Sequence, residues 1–172
     1  MRFSVTFFSV VAFYSTLVSC QPASIWDIFS IGFPSPFASQ TTCRPRVYQG
    51  NKPLGYLSAK RNAYGEYGTL QESSSGALSV AFTATRSNSK ELSLKVVGAS
   101  AVTPMFGGII GFTTSNDNLA TGSHHYAYIG LTPQTSSGSV PVKGTNSFDQ
   151  IQDFERKVQS AIWGYDSSTK RL

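Results

Sequence analysis

Residues 77–85 read ALSVAFTAT, and the alternation within this stretch decides the fold class. Leu78, Val80 and Phe82 fall on one side of an extended chain, while Ser79, Ala81 and Thr83 fall on the other. Successive side chains of a strand point to opposite faces, so this is a strand with one buried face and one small or polar face. Residues 91–98, ELSLKVVG, repeat the arrangement, with Leu92, Leu94 and Val96 inward and Ser93 and Lys95 outward. The polar cluster TRSNSK at 85–90 lies between them, so the two strands are expected to form a hairpin.

Working outward, period-two patterning with turn residues about every ten positions runs from Val47 to Thr132, the signature of an antiparallel all-β domain. Strands are expected in PLGYLSAK (53–60) and EYGTLQES (66–73) on either side of RNAYG. Further strands are expected in FGGIIGFTT (106–114) and HHYAYIGLT (124–132), which flank the polar loop SNDNLATGS. About six to eight strands result. Residues 133–147, PQTSSGSVPVKGTNS, read as a long loop with one edge strand at Val140–Lys143. Helical spacing then returns through Ile151, Phe154, Val158, Ala161 and Ile162, with Ser147 as N-cap, Asp149 in the first turn, and Arg156 and Lys157 toward the end. Ile162 and Trp163 are alternatively the start of a last strand.

The two ends of the chain have a different character. Residues 1–20, MRFSVTFFSVVAFYSTLVSC, carry one basic residue, Arg2, and then an apolar run to Val18, which is the pattern of a secretory signal peptide. Val18 and Cys20 occupy the −3 and −1 positions of a cut before Gln21; a lipobox ending at Cys20 is the competing reading. Residues 21–45 form an arm in which Ser24 and Asp27 start a short helix, Ile25, Ile28 and Phe29 share a face, and Gly32, Pro34 and Pro36 end it. The expected organisation is a signal peptide over 1–20, this arm over 21–45, and a β-sandwich domain over 46–166 that includes a C-terminal helix. A disordered tail follows over 167–172. The fold class is therefore mainly β: an antiparallel β-sandwich with a short N-terminal helix and a C-terminal helical segment. Its core is expected from Leu78, Val80, Phe82, Leu92, Leu94, Val96, Ile110, Ile129 and Leu131.

A cut after Cys20 leaves Cys43 as a single free cysteine, with no intramolecular disulfide, buried beneath the N-terminal arm. No Asn is followed at the second position by Ser or Thr, so there is no N-glycan acceptor. The chain has 14 Lys and Arg against 9 Asp and Glu, a net charge of +5. The basic residues are dispersed in runs no longer than two, which argues against nucleic acid as a partner and supports only mild attraction to acidic surfaces or polysaccharides.

Residues 124–130, HHYAYIG, are the densest cluster of chemistry-bearing side chains. If the strand extends through them, His124 and His125 point to opposite faces and cannot share a metal. His124, Tyr126 and Tyr128 then line one face as the candidate ligand-binding residues, an aromatic ladder suited to stacking on sugar rings. The structural alternative is that both tyrosines pack across strands. The glycines of FGGIIGF lack the Gly-Lys-Ser/Thr of a phosphate loop and mark a bulged or crowded strand that another backbone or ring approaches closely. No nucleophile elbow, metalloprotease helix, calcium loop or cysteine cluster is present, so no catalytic residue, metal or cofactor is expected. Glu66 and Glu72 could in principle form a glycosidase pair, but six residues apart with a bend between them they are not positioned for it, and both read better as solvated turn residues.

Together, GYLSAKRNAYGEYGTL, ALSVAFTA, NLATGSHHYAYIGLT and SAIWGYD resemble a group of small secreted proteins of mushroom-forming fungi whose members have no assigned function. The likeness spans Gly55 to Asp166; members continue beyond the Ile-Trp strand with a Trp- and Asn-containing segment where this chain has its final residues. The resemblance implies secretion and an all-β fold, and no activity. The function expected on all these grounds is that of a secreted, extracellular, non-enzymatic protein binding cell-wall or host glycans. A second reading is a membrane-active or host-directed effector using FGGIIGF or the Trp26 arm. A third is a hydrolase using Glu66 or Asp117 with His124.

Overall fold

The computed structural model describes residues 16–22, 40–84, 89–117 and 123–172. The expected arm helix and Trp26 lie outside these residues, as does most of the expected leader. The described chain is mainly β, with one antiparallel sheet curled into a half-barrel and almost no helix. Its strands are β1 (Thr16–Pro22), β2 (Gln40–Gln49), β3 (Lys52–Leu57), β4 (Glu66–Tyr67), β5 (Leu70–Gln71), β6 (Val80–Thr83), β7 (Leu94–Val96), β8 (Met105–Ile110), β9 (Ala127–Thr132), β10 (Val142–Lys143) and β11 (Lys157–Gln159); a single turn, α1 (Asp149–Gln152), is the only helix among the described residues.

The order β10-β11-β8-β7-β6-β2-β3-β5 runs through one continuous sheet, with β1 on β2 and the β9–β4 pair on β8. The expectation of two facing sheets is thus replaced by one sheet that branches. Branching occurs at the two longest-paired strands. One edge of β8 runs beside β9 from Met105 to Ile110, and the other edge is shared by β7 at Met105–Phe106 and β11 at Gly108–Ile109. On β2, β6 takes Gln40–Cys43 and β3 takes Arg46–Gln49, with β1 running beside Cys43–Gln49.

The expected hairpin of β6 and β7 is present, Val80 opposite Val96 and Ala81 opposite Lys95. Leu78, Val80, Phe82, Leu92, Leu94, Val96 and Leu131 form the main core with Cys20, Cys43, Leu57, Tyr67 and Phe106, and Ile129 packs against it. Ile110 is also buried. A smaller cluster of Ile109, Val158 and Phe148, with Tyr128 against it, lies apart from the main core. Every residue of β8 is buried. Gly107 makes this possible, since a Cβ there would strike the Thr132 hydroxyl and stand 2.8 Å from the Gln159 carbonyl oxygen.

Other expectations also fail for identifiable reasons. The C-terminal helix of 147–163 is reduced to α1, because Asp153 enters the left-handed region at φ 47° and residues 157–159 instead complete the ladder between β8 and β10. Val158 is fully buried by that pairing, while Ile151, Phe154 and Ile162 stay exposed, so no helical apolar face is buried. Trp163 bridges Leu92, stacks on Phe106 with ring centroids 4.8 Å apart and donates Nε1–H to the Phe106 carbonyl at 2.6 Å. The N-cap position of α1 is Phe148, which makes no side-chain cap; ahead of it, Asn146 Oδ1 accepts the amides of Phe148 and Asp149 at 3.0 and 3.1 Å.

The single free cysteine is also overturned. Cys43 is bonded to Cys20, with the Cα atoms 5.2 Å apart, inside the common range for a disulfide. By chain entropy, a link across a separation of 23 residues contributes on the order of 3 kcal/mol. The last residues, expected to be a disordered tail, dock on β1: Cys20 N–H donates to the Lys170 carbonyl at 2.8 Å, and Leu172 N–H to the Val18 carbonyl at 2.6 Å.

Ser147 is free of capping duty because its hydroxyl does something else. It donates to the Gly65 carbonyl at 2.6 Å and accepts the Leu131 amide at 2.9 Å, tying the β4 turn to β9 in a fully buried position. Ser147→Ala leaves both backbone groups without that partner, and the expected loss is about 1–3 kcal/mol. Urea denaturation beside the exposed control Ser137→Ala measures it; equal midpoints for the two variants would contradict the role given to Ser147.

Candidate functional site

The ends of β8 and β9 that lie nearest the start of β11 carry the densest surface chemistry. β9 begins only at Ala127, so residues 123–126 are not in a strand. The premise that His124 and His125 must diverge therefore fails. Their rings meet edge to face with centroids 4.6 Å apart, and His125 Nε2 lies 3.2 Å from the Ser115 hydroxyl. His124 is exposed, and its described ring contact is with His125. Among the described residues no group of three His, Cys, Asp or Glu is placed to hold a metal ion.

Tyr126 and Tyr128 are brought together as expected from their parity. Their hydroxyls are 3.1 Å apart and their rings meet edge to face at 5.1 Å. Tyr126 lies flat over Gly111, where a Cβ would run into its ring, and its hydroxyl accepts from the Thr113 amide and hydroxyl at 3.4 and 3.2 Å. Tyr128 stacks on Phe148 at 6.0 Å with nearly parallel planes. Tyr128 packs against the small core, and Tyr126 presents a half-buried ring at its rim.

The hydroxyl pair divides its protons unevenly. Burial pushes Tyr128 well above the usual phenol range, assisted by its bond to Tyr126 and by the nearby Glu66 carboxylate. For Tyr126, burial is the largest single influence and acts upward, but the bonds from Thr113 and Tyr128 and the Arg156 charge together outweigh it and lower the phenol. Either hydroxyl can donate in the bond between them, and the Tyr126 oxygen in addition accepts from the Thr113 amide and hydroxyl.

Beside this pair stands a group that sequence reading missed. Phe112 and Phe154 are 51% and 45% exposed, their ring centroids 5.2 Å apart. The Arg156 guanidinium lies 5.0 Å from the first centroid and 4.5 Å from the second, and it donates to the Phe112 carbonyl. Contacts of this kind are worth about 0.5–1 kcal/mol at exposed sites. Phe154 and Arg156 were assigned to a helix, where their spacing points them elsewhere; the left-handed Asp153 and the extended run after it turn them toward Phe112. A parallel arrangement occurs on β2 and β3, where Arg46 sits 5.6 Å from the Tyr48 ring and 5.4 Å from the Tyr56 ring.

Adjoining Arg156 is an open cleft of about 450 Å³, lined by Ile110, Thr114, Asn116 and the ion pairs Lys157–Asp117 and Lys143–Glu155. The pairs are 2.6 and 2.9 Å long. Both cleft carboxylates are thus paired with lysines. Glu66 accepts from Asn62 Nδ2 at 2.9 Å, and no contact joins it to His124. What the arrangement offers is recognition: flat rings, a fixed guanidinium, hydroxyls and carboxylates facing solvent on one side of the sheet.

Burial raises the Glu66 carboxyl above its ordinary 4.5, partly opposed by the Asn62 hydrogen bond. A raised folded-state value means that the charged form costs stability; the cost is absent below 4.5 and grows as pH rises through the folded-state value. Glu66→Gln, which keeps an acceptor for Asn62, should therefore be more stable than the parent at pH 7 and indistinguishable from it at pH 4. Thermal melts at the two pH values test this, and a gain that persists unchanged at pH 4 would contradict it.

Comparison with known proteins finds no matching family model, no similar curated protein and no similar solved structure, so the chemistry of this surface rests on its own geometry.

Proposed function

We propose that this protein is secreted and acts without catalysis, binding extracellular glycans of cell walls or hosts through the Phe112–Arg156–Phe154 ledge and the adjacent Tyr126. The observation that carries this reading is two large exposed aromatic rings held in fixed relation by one guanidinium, which itself lines a cleft of polar and charged groups. Aromatic faces match the C–H faces of pyranose rings, and flanking Arg, Asn, Thr and Asp groups match their hydroxyls. Rings already packed on each other lose little freedom on binding, which favours affinity. Of the residues expected from sequence, Tyr126 stays in the proposed surface, Tyr128 supports it from beneath, and His124 stands outside the contacts that build it. The likeness to small secreted fungal proteins is part of the same proposal.

The effector reading has less to draw on. Phe106 to Gly111 are buried, leaving only Phe112 of FGGIIGF for contact with lipid. No helix of the described residues is long and apolar enough to cross a membrane.

Pull-down on insoluble chitin and β-glucan, with an acidic polysaccharide as a third arm, tests the proposal. Phe112→Ala with Phe154→Ala is expected to weaken binding at least about tenfold, the equivalent of 1.4 kcal/mol, and Tyr126→Ala to weaken it less. Arg46→Ala, on the other aromatic cluster, serves as a folded control with binding retained. Absence of binding to all three materials, or binding that survives the double substitution, would overturn the assignment.

A further inference from the structure

We infer that Cys20 belongs to the mature protein and is bonded there to Cys43, so that the leader is removed upstream of Cys20 and not after it. The inference rests on the secreted reading for its leader and on the sheet for its boundary. Strand β1 pairs with β2 over its whole length, from Thr16 opposite Gln49 to Pro22 opposite Cys43. Its other edge holds the end of the chain, through Cys20 N–H to the Lys170 carbonyl, Leu172 N–H to the Val18 carbonyl, and the bridge of Ser19 with Arg171. The tail is itself shaped for that contact. Asp166 accepts from the Ser168 amide and hydroxyl and from the Thr169 hydroxyl, which hold its carboxyl down at about 2, and Arg171 and Asp166 exchange backbone hydrogen bonds.

A cut after Cys20 would remove the partner of β2 from Pro45 to Gln49, release the tail from both of its β1 hydrogen bonds, and strip a thiol partner from Cys43, which is 1% exposed. Cys20 itself is 4% exposed and a member of the main core. An earlier cut avoids all of this. The new N-terminus would then precede β1 and leave it whole. Closing the bond takes two protons and two electrons from the Cys20 and Cys43 thiols. They pass to the disulfide of a thiol–disulfide oxidoreductase of the secretory compartment, which is left as a dithiol.

The full chain, expressed in a secreting eukaryotic host and purified from the medium, decides the matter by N-terminal sequencing, intact mass and maleimide labelling in denaturant. The expected result is an N-terminus upstream of Cys20, no labelling before reduction and two labels after it. Cys20→Ala should then lower the melting temperature by on the order of 10 °C and render Cys43 labelable without reductant. An N-terminus at Gln21 with Cys43 labelling unreduced overturns the inference, as does a secreted Cys20→Ala protein identical in mass and melting to the parent. A chain that starts at Met1 overturns the leader on which it rests. Glycan pull-down of the same material reports separately on the binding surface, since β1 contributes nothing to it.

Discussion

Strand β8 can be approached closely at one face, as well as from both edges, only because Gly107 carries no side chain. Along one edge lies β9; the other is divided between β7 and β11; and the Gln159–Ser160 backbone passes so close to Gly107 that a methyl group would not fit. A side chain at 107 would separate β11 from the sheet, and with β11 would go β10 and the buried Val158. The small core of Ile109, Val158 and Phe148 supports Tyr128, so the outer surface depends on that same close approach.

Polar groups buried around this strand are arranged to match. The Ser160 hydroxyl accepts the Thr135 amide at 2.9 Å, the Ser160 amide is taken by the Thr135 hydroxyl at 2.9 Å, and Ser93 closes the group at 2.9 Å. Buried polar atoms cost stability unless partnered. The loop of 133–147 therefore does not float over the sheet but is tied to it at Thr135, Asn146 and Ser147. These ties hold the turn after Ser147, from which Phe154 and Arg156 project toward Phe112.

The opposite end of the sheet is organised by the disulfide. Cys20–Cys43 links β1 to β2 next to Val80, and the end of the chain lies against β1. The aromatic ledge and this clamp involve different strands, and Phe112 and Phe154 stay exposed with the Arg156 guanidinium packed on both rings.

What the sequence determined by itself is the set of strands with strict alternation. Leu78, Val80, Phe82, Leu92, Leu94 and Val96 can be read as core because a one-residue slip would expose every one of them, and the close-approach glycines of FGGIIGF can be read from the absence of any other reason for them. The Tyr126–Tyr128 contact matches a period of two although Tyr126 precedes β9. Tertiary structure alone decided the rest. Residues 147–163 carry helical spacing, yet the open edge of β8 at Gly108–Ile109 offers ladder hydrogen bonds and complete burial of Val158, which outweigh local preference. That choice rotated Phe154 and Arg156 onto Phe112, a contact across 42 and 44 residues of chain that no local pattern encodes. Cys20 was assigned by its neighbours to a leader, and only its place beside β2 shows it as the partner of Cys43. A pairing between distant strands is written in the geometry of the sheet, and local periodicity has no access to it.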